Sequence, residues 1–350
     1  PTDDAGALFL AEYGDPLRRW FLFPRQRPEL PRVLAGKYSL FQLCQRFGVP
    51  CADALLPEDS DSAREFVGKH GLPVIAKLTS PSTGAGVVRS TTVVHSVDEL
   101  IALLRRCDDA GAGLMLQEYL PSSVQGDWFF HGYCDAESIC RPSFTGTKAR
   151  SYPAHAGLTS FGAAKPNGRL IAQVHDLLSM LGYRGVMDLD LRLDPRDGQY
   201  KLLDFNPRIG AQFRLFHDAA GVDVAIAAHL DLTGRPIPVA PPVQRTFLVE
   251  NYDPISALRY WRGGQLSPRD WLRTVRSADE LAWFARDDLA PFSLMCLRMG
   301  WRVIERPFSK RFPRHTNESS PPVFRDGRAA KHVSKPVPAL EHGVTKGVTR

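Results

Sequence analysis

The sequence has 350 residues, of which 43% are hydrophobic and 23% charged, as in an ordinary globular protein with one large domain or two to three smaller ones. No apolar run reaches the roughly 18 residues of a membrane-spanning helix. Residues 301–350 hold eleven basic and four acidic residues, so they account for the net charge of +6, and residues 1–300 carry −1. The body of the chain therefore gives no reason to expect a nucleic-acid groove.

The N-terminal stretch PTDDAGALFLAEYGDPL has no basic start followed by an apolar core, so it is not typical of a signal peptide, and we expect a further segment upstream. The six cysteines form no CxxC pair and have no histidines at matching spacing. A zinc site or a disulfide framework is therefore disfavoured, and reduced thiols in a cytoplasmic protein are the better interpretation.

Helical and extended patterns follow each other along the chain. In chain order they predict helices at 5–13, 37–47 and 60–71, a strand at 72–78, a small-residue loop at 80–86 and a strand at 87–94. They continue with a helix at 96–107, a strand at 113–120, a hairpin at 128–135 and 137–144, a helix at 168–182, a hairpin at 185–194 and 199–206, and helices at 221–233, 267–285 and 291–304. Hairpins occur as well as crossovers, which predicts an α+β fold with antiparallel sheets.

The segment LLDFNPRIG (202–210) places polar side chains at the end of a predicted strand. Alternation along 199–206 puts four residues on one face: Tyr200, Leu202, Asp204 and Asn206. Pro207 ends the strand because it has no N–H for the ladder.

The preceding strand of this hairpin has Asp188, Asp190 and Arg192 on one face. Acids that face each other on adjacent strands repel unless a cation lies between them. Carboxylate and amide oxygens suit Mg²⁺, so the hairpin is a candidate metal site. An exposed, solvated hairpin face is the alternative interpretation.

Three further features could bind a nucleotide, although each has a simpler interpretation. Lys77 ends an apolar strand before SPSTGAG (80–86), whose backbone N–H groups could wrap phosphates, but the loop matches neither known phosphate-loop motif and could be a plain turn. Glu118 ends the strand MLQEYL and could accept a hydrogen bond from adenine, or simply face water. Lys148 and Arg150 lie in GTKARSYP (146–153), predicted to be a loop between strands.

The order of these features resembles the ATP-grasp superfamily. The features that carry the resemblance are Lys37, Lys77 with SPSTGAG, QEYL, Lys148, Asp190 and DFNPR, within about residues 30–240. The hairpin GVMDLDLRLDPRDGQYKLLDFNPR resembles the metal hairpin of that superfamily, with Asp204 where glutamate is usual. The details are most similar to predicted carboxylate–amine ligases that resemble D-aspartate ligase.

The resemblance implies a division into a remnant of an N-terminal domain (1–31), an ATP-grasp domain (32–240) with two α+β subdomains gripping ATP, a helical extension (241–312) and a disordered basic tail (313–350). It also implies roles for individual residues. Phosphate and lid contacts would come from Lys37, Lys77, Ser82, Thr83, Gly84 and Gly86. Adenine and ribose contacts would come from Glu118, Tyr119, Leu120 and Asp127. Magnesium, as two ions that Mn²⁺ could replace, would be held by Asp190, Asp204 and Asn206. Lys148 would contact the terminal phosphate, and Arg208 would contact the transferred phosphoryl group and the acyl phosphate. Arg150 would contact a substrate carboxylate.

The activity implied is ligation of a small carboxylate to an amine through an acyl phosphate, with ATP and Mg²⁺. Two other hypotheses stay open. One is a nucleotide-binding module without complete catalysis. The other is contact of 291–312 with a membrane surface, for which packing on the body is the favoured alternative.

Overall fold

The computed structural model describes residues 1–79, 91–121, 126–154 and 157–309, and the side chains of 302–309 are not part of that description. Residues 1–297 form one compact unit, and a second unit begins at residue 298. The predicted domain boundaries after residues 31, 240 and 312 remain predictions. In the described part of the chain, no helix is both long and apolar enough to cross a membrane.

Helices and strands alternate along the described residues. The helices are α1 (Asp4–Glu12), α2 (Gly14–Leu17), α3 (Leu30–Ala35), α4 (Lys37–Phe47), α5 (Ser60–His70), α6 (Val97–Asp109), α7 (Gly168–Leu181), α8 (Val224–Leu232), α9 (Asp253–Arg262), α10 (Pro268–Arg276) and α11 (Ala290–Ser309). The strands are β1 (Ala54–Leu55), β2 (Val74–Leu78), β3 (Thr91–Val94), β4 (Leu114–Glu118), β5 (Asp127–Cys134), β6 (Cys140–Tyr152), β7 (Leu158–Ala164), β8 (Gly185–Leu193), β9 (Tyr200–Asn206), β10 (Thr246–Leu248) and β11 (Glu280–Leu281).

Local sequence signals explain where several helices begin. The side chains of Asp59, Ser96 and Asn167 each accept a backbone N–H from the first turn of α5, α6 and α7. Such caps satisfy donors that have no partner inside the helix.

The prediction of an α+β fold with antiparallel sheets is confirmed.

The smaller sheet, as far as the structure describes it, has the strand order β1-β4-β2-β3 with antiparallel neighbours. Side chains alternate along β2, so Val74, Ala76 and Leu78 are buried in a cluster with α5 and α6. Lys77 consequently projects from the opposite face of the sheet.

The larger sheet has the order β11-β10-β7-β6-β5-β8-β9 among the described strands, and only β10 and β11 pair in parallel there. Successive residues of β5 enter different apolar clusters. Phe130 packs with residues of α3, α4 and α7, whereas Phe129 packs with residues of α8. Both faces of the centre of the larger sheet are therefore covered by helices. The hairpin of β8 and β9 lies beside β5 in this sheet.

Two predicted elements were wrong. Residues 146–153, predicted as a loop, belong mostly to β6, because residues 158–164 form a partner strand that the sequence pattern did not indicate. Lys148 and Arg150 are thus strand residues. The helix predicted at 267–285 ends at Arg276, and Glu280–Leu281 pairs with β10 instead.

A bulge in β9 changes the predicted distribution of its side chains. The register with β8 slips at Leu203, which is an extra residue on β9. Leu202 and Phe205 both enter the apolar core as a result, and Asp204 lies on the other face from Leu202. A single face shared by Tyr200, Leu202, Asp204 and Asn206 was therefore wrong, since strict alternation makes no allowance for a bulge.

Asp194 organises the turn between β8 and β9, and it is fully buried. Its carboxylate accepts hydrogen bonds from the Arg196 backbone N–H at 3.0 Å and from the Arg196 guanidinium, and lies 2.6 Å from Lys201 Nζ. The hydrogen bonds from Arg196, followed by those from Lys201, hold the pKa of Asp194 below its ordinary value despite burial. This carboxylate therefore fixes the geometry of the hairpin.

We expect Asp194→Asn to lower the free energy of unfolding by about 2 kcal/mol at neutral pH, because hydrogen bonds to a charged group are lost. The folded pKa lies below the unfolded one, so this contribution is present above the unfolded pKa and is lost as the pH falls through the folded value. The difference between variant and wild type should therefore shrink below about pH 4. Urea unfolding at pH near 7 and near 3 measures it.

Asp197→Asn is the matched control, since Asp197 also pairs with Lys201 but is more exposed. The control should cost well under 1 kcal/mol, roughly the value of an exposed ion pair. A loss for Asp194→Asn that stays the same at both pH values would contradict the assignment.

Candidate active site

Two carboxylates face each other across the β8–β9 hairpin. Asp190 is the register partner of Asp204, and Asp188 is the partner of Asn206. Burial, followed by the neighbouring charge of Asp190, raises the pKa of Asp204 to about 6. The predicted metal ligands Asp190, Asp204 and Asn206 are thus neighbours, and the negative charge on Asp204 is disfavoured where it lies.

The chemistry of these donors fits magnesium, which binds carboxylate and amide oxygens together with phosphate oxygens. The described residues include no cluster of three or more His, Cys, Asp or Glu side chains that could hold a metal by themselves. The predicted set has two carboxylates and one amide. It therefore fits an ion that shares its ligands with a nucleotide.

Lys77 and Lys37 bring positive charge to the same site from β2 and from the start of α4. Burial lowers the pKa of Lys77 to about 8, and Asp204 opposes this shift. Burial also lowers the pKa of Lys37, again opposed by Asp204, and its ammonium donates to the Leu78 carbonyl at 2.9 Å. Both ammonium groups therefore lie within electrostatic reach of the acid pair.

Lys148 approaches the acid pair from β6. Its Nζ lies 3.1 Å from Asp190 Oδ1 and donates to the Gly157 carbonyl at 3.5 Å. Burial disfavours the charge on Lys148, but Asp190 outweighs that effect and raises its pKa above the ordinary value. Lys148 is therefore held in its charged form beside the acid pair.

The predicted nucleotide hinge begins at Glu118, at the end of β4. One oxygen of its carboxylate lies 2.6 Å from the guanidinium of Arg196, and the other accepts the Asp53 backbone N–H at 3.2 Å. Tyr119 follows and is partly buried. The Glu118 side chain is thus fixed by the β8–β9 turn.

Arg192 fixes the other side of the hinge. Its guanidinium donates to the Leu120 carbonyl at 3.0 Å and to Asp127 Oδ1 at 2.6 Å. The predicted contact of Asp127 with ribose remains a prediction, and in this structure the carboxylate is paired with Arg192.

Arg208 extends from the end of β9 toward the carboxylates. Its guanidinium donates to Asn206 Oδ1 at 3.0 Å and to Asp4 Oδ1 at 2.8 Å, and it lies 4.0 Å from Asp188 Oδ2. The side chain is 21% exposed, so an anionic substrate can reach it.

Asp188, the register partner of Asn206, makes a buried contact with His131. Their Oδ1 and Nε2 atoms lie 2.8 Å apart without hydrogen-bond geometry. Gly210 packs directly on both, since a Cβ at this position would come within 2.5 Å of each. This close approach explains the glycine after DFNPRI.

Arg150 lies in a different environment from the predicted one, because its guanidinium is bound by residues of this chain. Its guanidinium donates to both oxygens of Asp253, at 2.7 and 3.0 Å, and to Thr274 Oγ1 at 3.1 Å. The predicted contact with a substrate carboxylate remains a prediction that this geometry does not favour. Ser82, Thr83, Gly84 and Gly86 lie outside the described residues, so their roles remain predictions as well.

Sequence reasoning missed the partners that orient the site. Arg196 lies in the turn PRDG, and Asp253 is far along the chain, so neither carries a motif. Arg192 offered a signal, since it follows Asp190 by two residues on the same face of β8.

We expect Asp204→Asn to raise the free energy of unfolding of the metal-free protein by about 2 kcal/mol at pH near 8, because the amide removes a disfavoured charge. The folded pKa of about 6 is above the unfolded value, so this penalty acts above the folded pKa and vanishes below the unfolded pKa. Urea unfolding in EDTA, at pH near 8 and near 4, measures the difference.

Asp109→Asn, at an exposed position of α6, is the control and should change little at either pH. A wild type that is as stable as Asp204→Asn at the higher pH would contradict the disfavoured charge on Asp204 described above.

No family model matches the chain. It is 21% identical over 218 residues to the D-aspartate ligase of Enterococcus faecium, which covers 59% of this chain and 52% of the relative. It is 24% identical over 251 residues to the biotin carboxylase of Allochromatium vinosum, covering 66% and 54%. The chain therefore spans about half the length of these curated relatives.

Solved structures of low sequence identity share the architecture. The biotin carboxylase of Campylobacter jejuni, in a β,γ-ATP complex, aligns with a TM-score of 0.53 at 14% identity, over 67% of this chain and 55% of that one. The N5-carboxyaminoimidazole ribonucleotide synthetase of Thermus thermophilus aligns with a TM-score of 0.51 at 17% identity, over 67% and 62%. These likenesses show that the chain has the ATP-grasp fold.

Proposed function

We propose that this protein is an ATP-dependent ligase that joins a small carboxylate to an amine through an acyl phosphate. The observation that supports it most is the meeting of two carboxylates, Asp190 and Asp204, with the ammonium groups of Lys77 and Lys148 in one site. A magnesium–nucleotide complex compensates both charges, because the cation suits the acids and the phosphates suit the lysines.

Most of the proposed nucleotide contacts follow from where the described side chains lie. Lys37 and Lys77 contact the α and β phosphates. A lid role for residues 82–86, which lie outside the described residues, rests on the family resemblance alone. Lys148 contacts the terminal phosphate. The segment 118–120 holds adenine, with the Leu120 carbonyl held by Arg192 and the Glu118 carboxylate held by Arg196.

Asp190, Asp204 and Asn206 are the residues that would hold magnesium, and we propose two ions, with manganese as a substitute. When bound, the metal supplies charge neutralisation at the phosphoryl oxygens. The chain itself contributes position and electrostatics, which dominate this kind of phosphoryl transfer.

The reaction would run in two steps. A carboxylate oxygen of the acid attacks the γ-phosphorus, the bond to the bridging oxygen breaks, and ADP leaves. The amine nitrogen then attacks the acyl carbon, inorganic phosphate leaves with the bonding electrons, and the nitrogen releases a proton. Arg208 faces the reacting phosphate and stabilises the anionic acyl phosphate, with Asn206 holding its guanidinium.

A nucleotide-binding module without chemistry is the second candidate. The observation in its favour is that Arg150, the predicted contact of a substrate carboxylate, is instead paired with Asp253. The cytoplasmic location and the membrane contact of α11 remain predictions.

Hydroxylamine converts acyl phosphates to hydroxamates, so it tests the proposed intermediate without knowledge of the amine. The protein is incubated with MgATP, hydroxylamine and pools of carboxylic acids, and hydroxamate and phosphate are measured. We expect carboxylate-dependent hydroxamate from the wild type. Arg208→Met should reduce it by roughly 100-fold, the usual effect of removing one group that stabilises developing charge.

Arg184→Met, at an exposed position, is the matched control and should retain activity. Binding of MgATP without hydroxamate from any acid pool would refute the ligase and favour the nucleotide-binding module.

A further inference from the structure

The start of helix α9 and the residue before it contact residues 150–152 of β6, shortly after Lys148. Arg150 pairs with Asp253, and the Ser151 carbonyl accepts a hydrogen bond from the Ser256 hydroxyl at 2.9 Å. The Tyr152 ring stacks on the Tyr252 ring, with the ring centroids 4.9 Å apart and an interplanar angle of 5°. The segment from 252 to 256 therefore holds one end of the strand that carries Lys148.

The Asp253 carboxylate is the centre of this contact. It is fully buried and accepts hydrogen bonds from four donor groups. These are Arg150 Nε at 2.7 Å, Arg150 Nη2 at 3.0 Å, Ser160 Oγ at 3.2 Å and Trp271 Nε1 at 2.9 Å. A buried ion pair adds little net stability by itself, but a fully satisfied polar network fixes the geometry of its members.

The β6–β7 pairing is irregular at the residues that Asp253 binds. Lys148 pairs with Gly162 and Arg150 with Phe161, so β6 has one extra residue between them. Ser160 is then an extra residue on β7. Asp253 thus binds Arg150, which lies between the two bulges, and Ser160, which is the extra residue of the second bulge.

Bulges redirect side chains, and here the first one separates two cations. Lys148 turns to Asp190 at 3.1 Å, whereas Arg150 turns to Asp253. Regular alternation would place both side chains on one face of β6. The direction of Lys148 therefore depends on the bulge, and the bulge is held by Asp253.

We propose that Asp253 is a positioning residue, which acts through Arg150 and Ser160 to direct Lys148 at the terminal phosphate of ATP. The inference rests on the proposed function, since Lys148 is there the terminal-phosphate ligand. It assigns to the helical segment after residue 250 a role in the nucleotide site.

The test compares the affinities for MgATP and MgADP, measured by calorimetry on the full chain. These nucleotides differ in the phosphate that Lys148 contacts. We expect wild type to prefer ATP, and Lys148→Ala to lose roughly tenfold of that preference, the value of one charge-assisted hydrogen bond. Asp253→Asn should lose a similar factor although it does not touch the nucleotide.

Two milder variants guard against misfolding of Asp253→Asn. Ser160→Ala removes one hydroxyl contact, and Arg150→Lys keeps the charge but not the paired hydrogen bonds. Both should lower the ATP-to-ADP preference while binding stoichiometry stays near that of wild type. Asp270→Asn, which breaks an exposed ion pair on α10, is the control and should change neither quantity.

A merely structural role would lower the stoichiometry and leave the preference intact, and that result in Ser160→Ala and Arg150→Lys would overturn the inference. A Lys148→Ala variant with wild-type preference, or a wild type that binds neither nucleotide, would instead overturn the proposed nucleotide site and this inference with it.

Discussion

The close approach of two carboxylates, Asp190 and Asp204, is the constraint around which the site is arranged. Two carboxylates at partner positions of adjacent strands repel each other, and burial adds to the penalty, as the raised pKa of Asp204 shows. Lysines from the smaller sheet and from β6 offset part of this charge. A fold retains such an arrangement when a ligand compensates for it, and a metal–nucleotide complex has the required charges.

The β8–β9 hairpin also links the two sheets. Asp194 fixes its turn, and Arg196, which binds Asp194, reaches Glu118 at the end of β4. Arg192, from the same face as Asp190, binds the segment after Glu118. One short hairpin therefore places the acids and holds the proposed adenine segment, so the two parts of the proposed nucleotide site have a fixed relation.

The sequence predicted most elements because their signals are local. Capping residues and apolar spacing locate α4 to α7, and the acids of the β8–β9 hairpin follow from composition and resemblance. Bulges and distant partners are not local. Leu203 looks like any strand residue, yet its bulge reverses the face of Asp204 relative to Leu202. Arg150 looked available for a substrate, because its partner Asp253 lies 103 residues away.

The affinity of the wild-type chain for ATP, measured by calorimetry with Mg²⁺ and again with EDTA, tests the central claim most directly. The carboxylates and the nucleotide phosphates repel each other unless a cation lies between them. The account therefore predicts binding with Mg²⁺ that is weaker by at least roughly tenfold in EDTA. Equal affinity in both conditions would contradict a magnesium–nucleotide site at the acid pair.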